Sequence, residues 1–138
     1  MSERDEVQVA RWSAIRSRVG SCLRELRGGY SQAKLSGDLE DLGYHLTQST
    51  ISRIEQGQVE QPLSLERLVG WALCCQALSA PAFKQLLQLV GFRLPWSDED
   101  LRRFDDLLRH YRRLAIPDQI VLRRKLLWHL LGLRAEDV

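Results

Sequence analysis

With 138 residues, 44% of them hydrophobic and 28% charged, the chain has the composition of one ordinary globular unit or one domain with a small appendage. These fractions exclude a disordered polypeptide, and no apolar run approaches the roughly 20 residues that a membrane span needs. A net charge of +2 excludes a strongly basic or acidic chain and points to no class of partner.

Helical periodicity is nearly continuous and nothing reads as a strand, so the expected class is all-α. A first helix is predicted from about Glu6 to Arg27, with Trp12, Ile15, Val19, Cys22 and Leu26 recurring on one face. Gly28 and Gly29 stop it, because tandem glycines disfavour helix and supply positive φ. Ser31 can cap a second helix whose inward residues are Ala33, Leu35, Leu39 and Leu42. Gly43 ends that helix, Thr47 caps a third with Ile51 and Ile54 facing back, and Gly57 closes it. Ser64 caps a fourth helix with the stripe Leu65, Leu68, Val69, Ala72 and Cys75. Ser79, Ala80 and Pro81 open a fifth, with Phe83, Leu86, Leu87 and Val90 inward.

The stretch Gly91 to Trp96 reads as the one boundary of the chain. Ser97, Asp98, Glu99 and Asp100 then form a strong helix start, a capping serine followed by acids that the helix dipole favours. The sixth helix carries Leu101, Phe104, Leu107, Leu108, Tyr111 and Leu114. Ile116, Pro117 and Asp118 turn the chain into a seventh that reaches about Leu133.

The third helix is the informative one. Gln48, Ser49, Ser52 and Arg53 fall on its outward side, opposite Ile51 and Ile54. Gln pairs bidentately with adenine and Arg with guanine in the DNA major groove, while Ser is permissive. Gln32, in the first turn of the preceding helix, is placed to hold a phosphate with side chain and backbone amide.

Three segments resemble the Cro/C1-type (XRE family) helix-turn-helix of phage and bacterial repressors. They are Leu-Arg-Glu-Leu-Arg at 23–27, Ser-Gln-Ala-x-Leu at 31–35, and Thr-Gln-Ser-Thr-Ile-Ser-Arg-Ile-Glu-x-Gly at 47–57, followed by Pro62, Leu63, Ser64 and Leu65 at the start of the fourth helix. The resemblance covers about residues 11–91. It implies a five-helix, lambda-repressor-like domain over 1–95 that binds operator DNA, usually as a dimer on a near-palindrome. Position by position, it implies base reading by Gln48, Ser49 and Arg53, backbone contacts by Gln32, Thr50 and Ser52, and a structural ion pair between Arg27 and Glu55. Two departures stand out. The turn Gly28-Gly29-Tyr30 is shorter than the family's usual one, and the longer segment 37–46 predicts an added turn on the second helix. Asp38, Glu40 and Asp41 in that segment would repel phosphate, and are expected to point away from DNA.

Charge gives this reading no independent support. Residues 1–60 hold eight Lys and Arg against nine Asp and Glu, so the segment lacks the basic footprint common to nucleic-acid binders. Arg102, Arg103, Arg109, Arg112 and Arg113 on the sixth helix are interleaved with acids and read as paired surface charge. Arg123, Arg124 and Lys125 form a purer cluster, also read as surface. The seventh helix carries Ile120, Val121, Leu122, Leu126, Leu127, Trp128, Leu130 and Leu131, more than one stripe. Residues 96–138 are therefore expected to form a two-helix dimerisation segment, with Leu122, Leu126, Leu127, Trp128, Leu130 and Leu131 at a homodimer interface.

Chemistry of other kinds finds little footing. Cys22, Cys74 and Cys75 have no ligand spacing and read as small buried hydrophobes; His45, His110 and His129 stand far apart. No nucleophile elbow or phosphate-cradling glycine loop occurs, so neither an enzyme nor a cofactor or metal is expected. The N-terminal Met-Ser-Glu-Arg-Asp-Glu is unlike a secretory signal, which makes a cytoplasmic protein the expectation, and the family resemblance implies a bacterial or phage-encoded one. The expected function is that of a homodimeric transcriptional regulator, a repressor on double-stranded DNA. The alternative is a protein-interaction module, an antitoxin or adaptor that binds a partner through its C-terminal helices.

Overall fold

The computed structural model describes residues 3–75, 77–92 and 96–131, with side chains for 11–64, 66–75, 77–92 and 96–125. Among these residues there are seven helices and no strand, so the protein is all-α. They are α1 (Glu3–Arg27), α2 (Gln32–Asp41), α3 (Gln48–Glu55), α4 (Leu65–Cys74), α5 (Ala80–Leu89), α6 (Asp98–Tyr111) and α7 (Ile116–Leu131). No helix among the described residues is long and apolar enough to cross a membrane.

Local chemistry sets the helix starts. Ser31, Thr47, Ser64, Ser79 and Ser97 each accept a hydrogen bond from the backbone amide three residues on. Ser97 and Asp100 complete a reciprocal capping box. Among the described residues, four helix ends turn on a glycine of positive φ, two of them flanking α3. At Gly43 (φ 92°) and Gly57 (φ 70°) the chain turns left-handed, and the next amides, of Tyr44 and Gln58, reach back to the carbonyls of Leu39 and Arg53 at 2.8 and 2.9 Å. These two turns bracket α3.

The core is one cluster. It joins Trp12, Val19, Leu23 and Leu26 of α1 to Leu35 and Leu39 of α2, Ile51 and Ile54 of α3, and much of α4 and α5. α4 is buried nearly all round, with Trp71, Ala72 and Leu73 inside as well as Leu68 and Val69, which makes it the central helix. Leu23 and Trp71, both 0% exposed, lie outside the expected stripes, whereas Ala33, expected inward, is exposed. One helix face is broader than a single row when partners press from both sides.

The core continues past residue 95, where a boundary was expected. Phe104, Leu108 and Tyr111 of α6 belong to the same cluster. Trp96 stacks on Phe83 at 6.1 Å and tilts against Phe104 at 5.0 Å. Asp105 accepts a hydrogen bond from the Ala80 amide at 2.8 Å, and Arg112 Nη2 donates to the Leu78 carbonyl at 2.9 Å. These contacts join α6 to the start of α5. On its wet side, Glu99 pairs with Arg102 and Arg103, and Asp106 with Arg109, as interleaved charges should.

Arg123 corrects the surface reading of its cluster. It is 3% exposed, while Arg124 and Lys125 are exposed. Its Nη2 donates to the Leu42 carbonyl at 3.0 Å and its guanidinium lies 4.5 Å from the Tyr44 ring centre. The carbonyl of Leu42, the C-cap of α2, and an aromatic face thus stand in for part of the water a surface arginine would have. Leu122, expected at a dimer interface, is half-buried against the chain's own core. The side chains of Leu126, Leu127, Trp128, Leu130 and Leu131 lie outside the described residues.

Candidate nucleic-acid interface

α3 is short, and its position depends on what holds its back. Ile51 and Ile54 are 0% and 2% exposed, and Gly20 of α1 lies against the α3 backbone. Glu55, 7% exposed, accepts from Arg27 through both oxygens, Nε to Oε2 at 2.6 Å and Nη2 to Oε1 at 2.9 Å. Arg27 also donates to the Tyr30 carbonyl at 2.8 Å, so one guanidinium ties the ends of α1 and α3 to the turn before α2. The bond to Glu55 holds Arg27 above its ordinary pKa, with burial acting in the opposite sense.

The front of α3 is different. At about 100° per residue, Gln48, Ser52, Ser49 and Arg53 span one side of the helix and Ile51 and Ile54 the other, with Glu55 at the edge beside Gln48. Gln48, Ser49 and Arg53 are exposed. Among the described residues their side chains make no hydrogen bond and no ion pair. The expected backbone contacts are more engaged. The Thr50 hydroxyl lies 2.9 Å from that of Thr47, which caps the helix. Ser52 Oγ accepts from Gln56 Nε2 at 3.2 Å, so Gln56, absent from the expected set, braces this face. An i,i+4 Ser–Gln pair was the available signal.

Gln32 donates through Nε2 to Glu55 Oε1 at 3.0 Å. That nitrogen carries a second hydrogen, so the side chain can serve the ion pair and still offer a donor outward. Neither α2 nor α3 has an acid in its first turn, which leaves both positive helix ends uncancelled. The acids of the long segment sit at the other end of α2, where Glu40 and Asp41 are exposed and Asp38 is half-buried.

The extra length of 37–46 is not a loose loop. Tyr44 and Leu46 are 6% exposed and His45 between them faces out. The Tyr44 hydroxyl donates to Glu66 Oε1 at 3.1 Å, its ring packs on Gly70 of α4, and Ser36 Oγ donates to the Leu46 carbonyl at 2.6 Å. This connection is pinned to α4 through Tyr44 and to α2 through Leu46 just ahead of α3.

No metal-holding group of His, Cys, Asp and Glu occurs among the described residues. The three cysteines are free, and burial pushes the thiols of Cys74 and Cys75 up to about 12, far from a reactive thiolate. No family model, curated protein or solved structure matches the chain.

Proposed function

We propose that the chain is a sequence-specific double-stranded DNA-binding protein, a transcriptional regulator that lays α3 in the major groove. One observation carries the reading: Gln48, Ser49 and Arg53 stand exposed and without partners among the described residues, on a helix whose back is held by Ile51, Ile54 and the Arg27–Glu55 pair. A protein that merely needed a solvated helix would have no reason to fix it so tightly, whereas base readout requires donors and acceptors in a set geometry. Gln32, Thr50 and Ser52 flank the row as backbone contacts.

The near-neutral charge of residues 1–60 limits the grip of one copy on phosphate. A homodimer on a near-palindromic operator supplies the second half of the contact, and repression by occluding a promoter is the simplest outcome. The decisive experiment is selection of bound sites from a random duplex pool, repeated at several salt concentrations. The expected product is an enriched motif with half-sites about 34 Å apart and affinity that falls as salt rises. A pool that stays random, from protein that is folded, would favour the antitoxin or adaptor reading.

A further inference from the structure

A cavity of about 210 Å³ is bounded by Asp38 of α2 and Leu42, its C-cap, by Leu73 of α4, and by Tyr111, Arg112 and Ile116 at the α6–α7 corner. It is smaller than the roughly 300–1,000 Å³ of pockets for drug-sized molecules. Its walls carry opposite charges that do not meet. Among the described residues neither Asp38 nor Arg112 has an ion-pair partner, although both line the same space. Arg112, an exposed residue, spends one nitrogen on the Leu78 carbonyl and keeps its other donors. Tyr111 is 2% exposed and its hydroxyl is buried with no hydrogen-bond partner among the described residues. Such a group is costly to leave unpaired. Gln119 donates to the Tyr111 carbonyl at 3.1 Å, so its own carbonyl oxygen remains an acceptor on the cavity wall.

We propose that this cavity binds a small zwitterion of the free amino-acid class, with its ammonium on Asp38, its carboxylate on Arg112 and its apolar part against Leu42, Leu73 and Ile116. A molecule bearing both charges completes two ions that the protein holds apart, and neither a simple cation nor a simple anion does so. Burial and the nearby Asp41 raise the pKa of Asp38, as expected for a carboxylate lacking a cation. The proposal does not rest on DNA binding, since no residue of α3 lines the cavity.

The test uses the full chain, ¹⁵N-labelled, titrated with free amino acids from L-alanine to L-phenylalanine and with the half-ligands 4-methylpentanoate and 3-methylbutylamine. L-Leucine should give saturable amide shifts centred on Asp38, Leu42, Leu73, Tyr111 and Arg112, and its failure to do so overturns the proposal. The half-ligand matching L-leucine on either side should bind at least about tenfold more weakly than L-leucine. Asp38→Asn and Arg112→Gln, each with an unchanged circular dichroism spectrum, should reduce L-leucine to the half-ligand level. No saturable shift with any probe overturns the proposal, as do shifts centred elsewhere, equal binding of half-ligands, or unchanged binding by the two variants.

Discussion

Gly20 of α1 lies directly against the backbone of α3: a Cβ at position 20 would overlap the Ile54 carbonyl oxygen and stand 2.8 Å from that of Glu55. The two helices therefore cross as closely as backbones allow, and the recognition candidates on α3 inherit their position from that crossing. Gly20→Ala gains helix propensity of about 1 kcal/mol but forces backbone apart, for a net loss of roughly 1–3 kcal/mol. Gly37→Ala is the control, since nothing lies within 4 Å of its would-be Cβ and α2 continues through it. It should stabilise the protein by roughly 0.5–1 kcal/mol. Urea unfolding of both variants checks the pair, and a Gly20→Ala protein as stable as Gly37→Ala would dismiss the close crossing.

The Arg27–Glu55 pair should respond unequally to removal of its two halves. Arg27→Met leaves a carboxylate whose side chain is 3% exposed with Gln32 as its remaining side-chain partner. A loss of about 3 kcal/mol or more is expected. Glu55→Gln keeps an acceptor for Arg27 and leaves a cation whose side chain is 14% exposed, so the loss should be smaller, roughly 1–2 kcal/mol. Equal losses in urea unfolding would mean that burial of Glu55 is not what gives the pair its weight.

Arg123 offers a sharper contrast. Its planar guanidinium is placed over Tyr44 and against the Leu42 carbonyl, while Nε and Nη1 are buried with no hydrogen-bond partner among the described residues. Arg123→Lys retains charge but loses the flat stack and the fork, leaving a strongly hydrated ammonium in the core. Arg123→Met loses one hydrogen bond and removes a buried charge. Methionine should therefore cost within about 1 kcal/mol, and lysine roughly 2–3 kcal/mol. Thermal unfolding that ranks lysine above methionine would refute a buried arginine at this position.

These residues also mark the limits of what sequence could convey. The caps Ser31, Thr47, Ser64 and Ser97 were legible because capping is local, a small polar residue ahead of an apolar repeat. Ile51 and Ile54 were legible because α3 is amphipathic, and Arg27 with Glu55 because a family resemblance named them. Arg123, Leu23 and Trp71 were not, since each depends on partners brought from distant parts of the chain. The stretch Gly91 to Trp96 shows the same limit: a proline and a glycine suggest a boundary there, but cannot say that Trp96 packs on Phe83 and Phe104. Of the α3 row, exposure was legible from periodicity, while the bracing of Ser52 by Gln56 had only its i,i+4 spacing as a signal.

Asp38 should make stability depend on pH in an unusual direction. Burial, and then the nearby Asp41, raise its pKa above the usual 3.8, so folding favours the protonated form. Its contribution is fully present below 3.8 and is lost as pH rises through the folded value. Asp38→Asn should thus be more stable than the parent at pH 7, with the difference vanishing toward pH 3 as both carry a neutral group. Unfolding curves across that range test the sign, and a variant that is less stable at pH 7 would show that the carboxylate has a cationic partner.

The reading of α3 as a base reader predicts that affinity and specificity separate by residue. Gln48 and Arg53 are exposed and carry no internal hydrogen bond among the described residues, so truncating either should leave the fold and its melting temperature unchanged. On a site selected by the parent, Gln48→Ala or Arg53→Ala should each weaken binding by about 10- to 100-fold, the cost of one bidentate base contact. Repeat selection should lose preference at a different operator position for each. Gln32→Ala acts on a backbone contact and carries no base information, so it should weaken all sequences alike and leave the selected motif unaltered. The three variants must be compared on both selected and random duplex. If Gln48→Ala and Arg53→Ala lower affinity for random duplex as much as for the selected site, the row on α3 is a backbone contact and the determinant of sequence lies elsewhere.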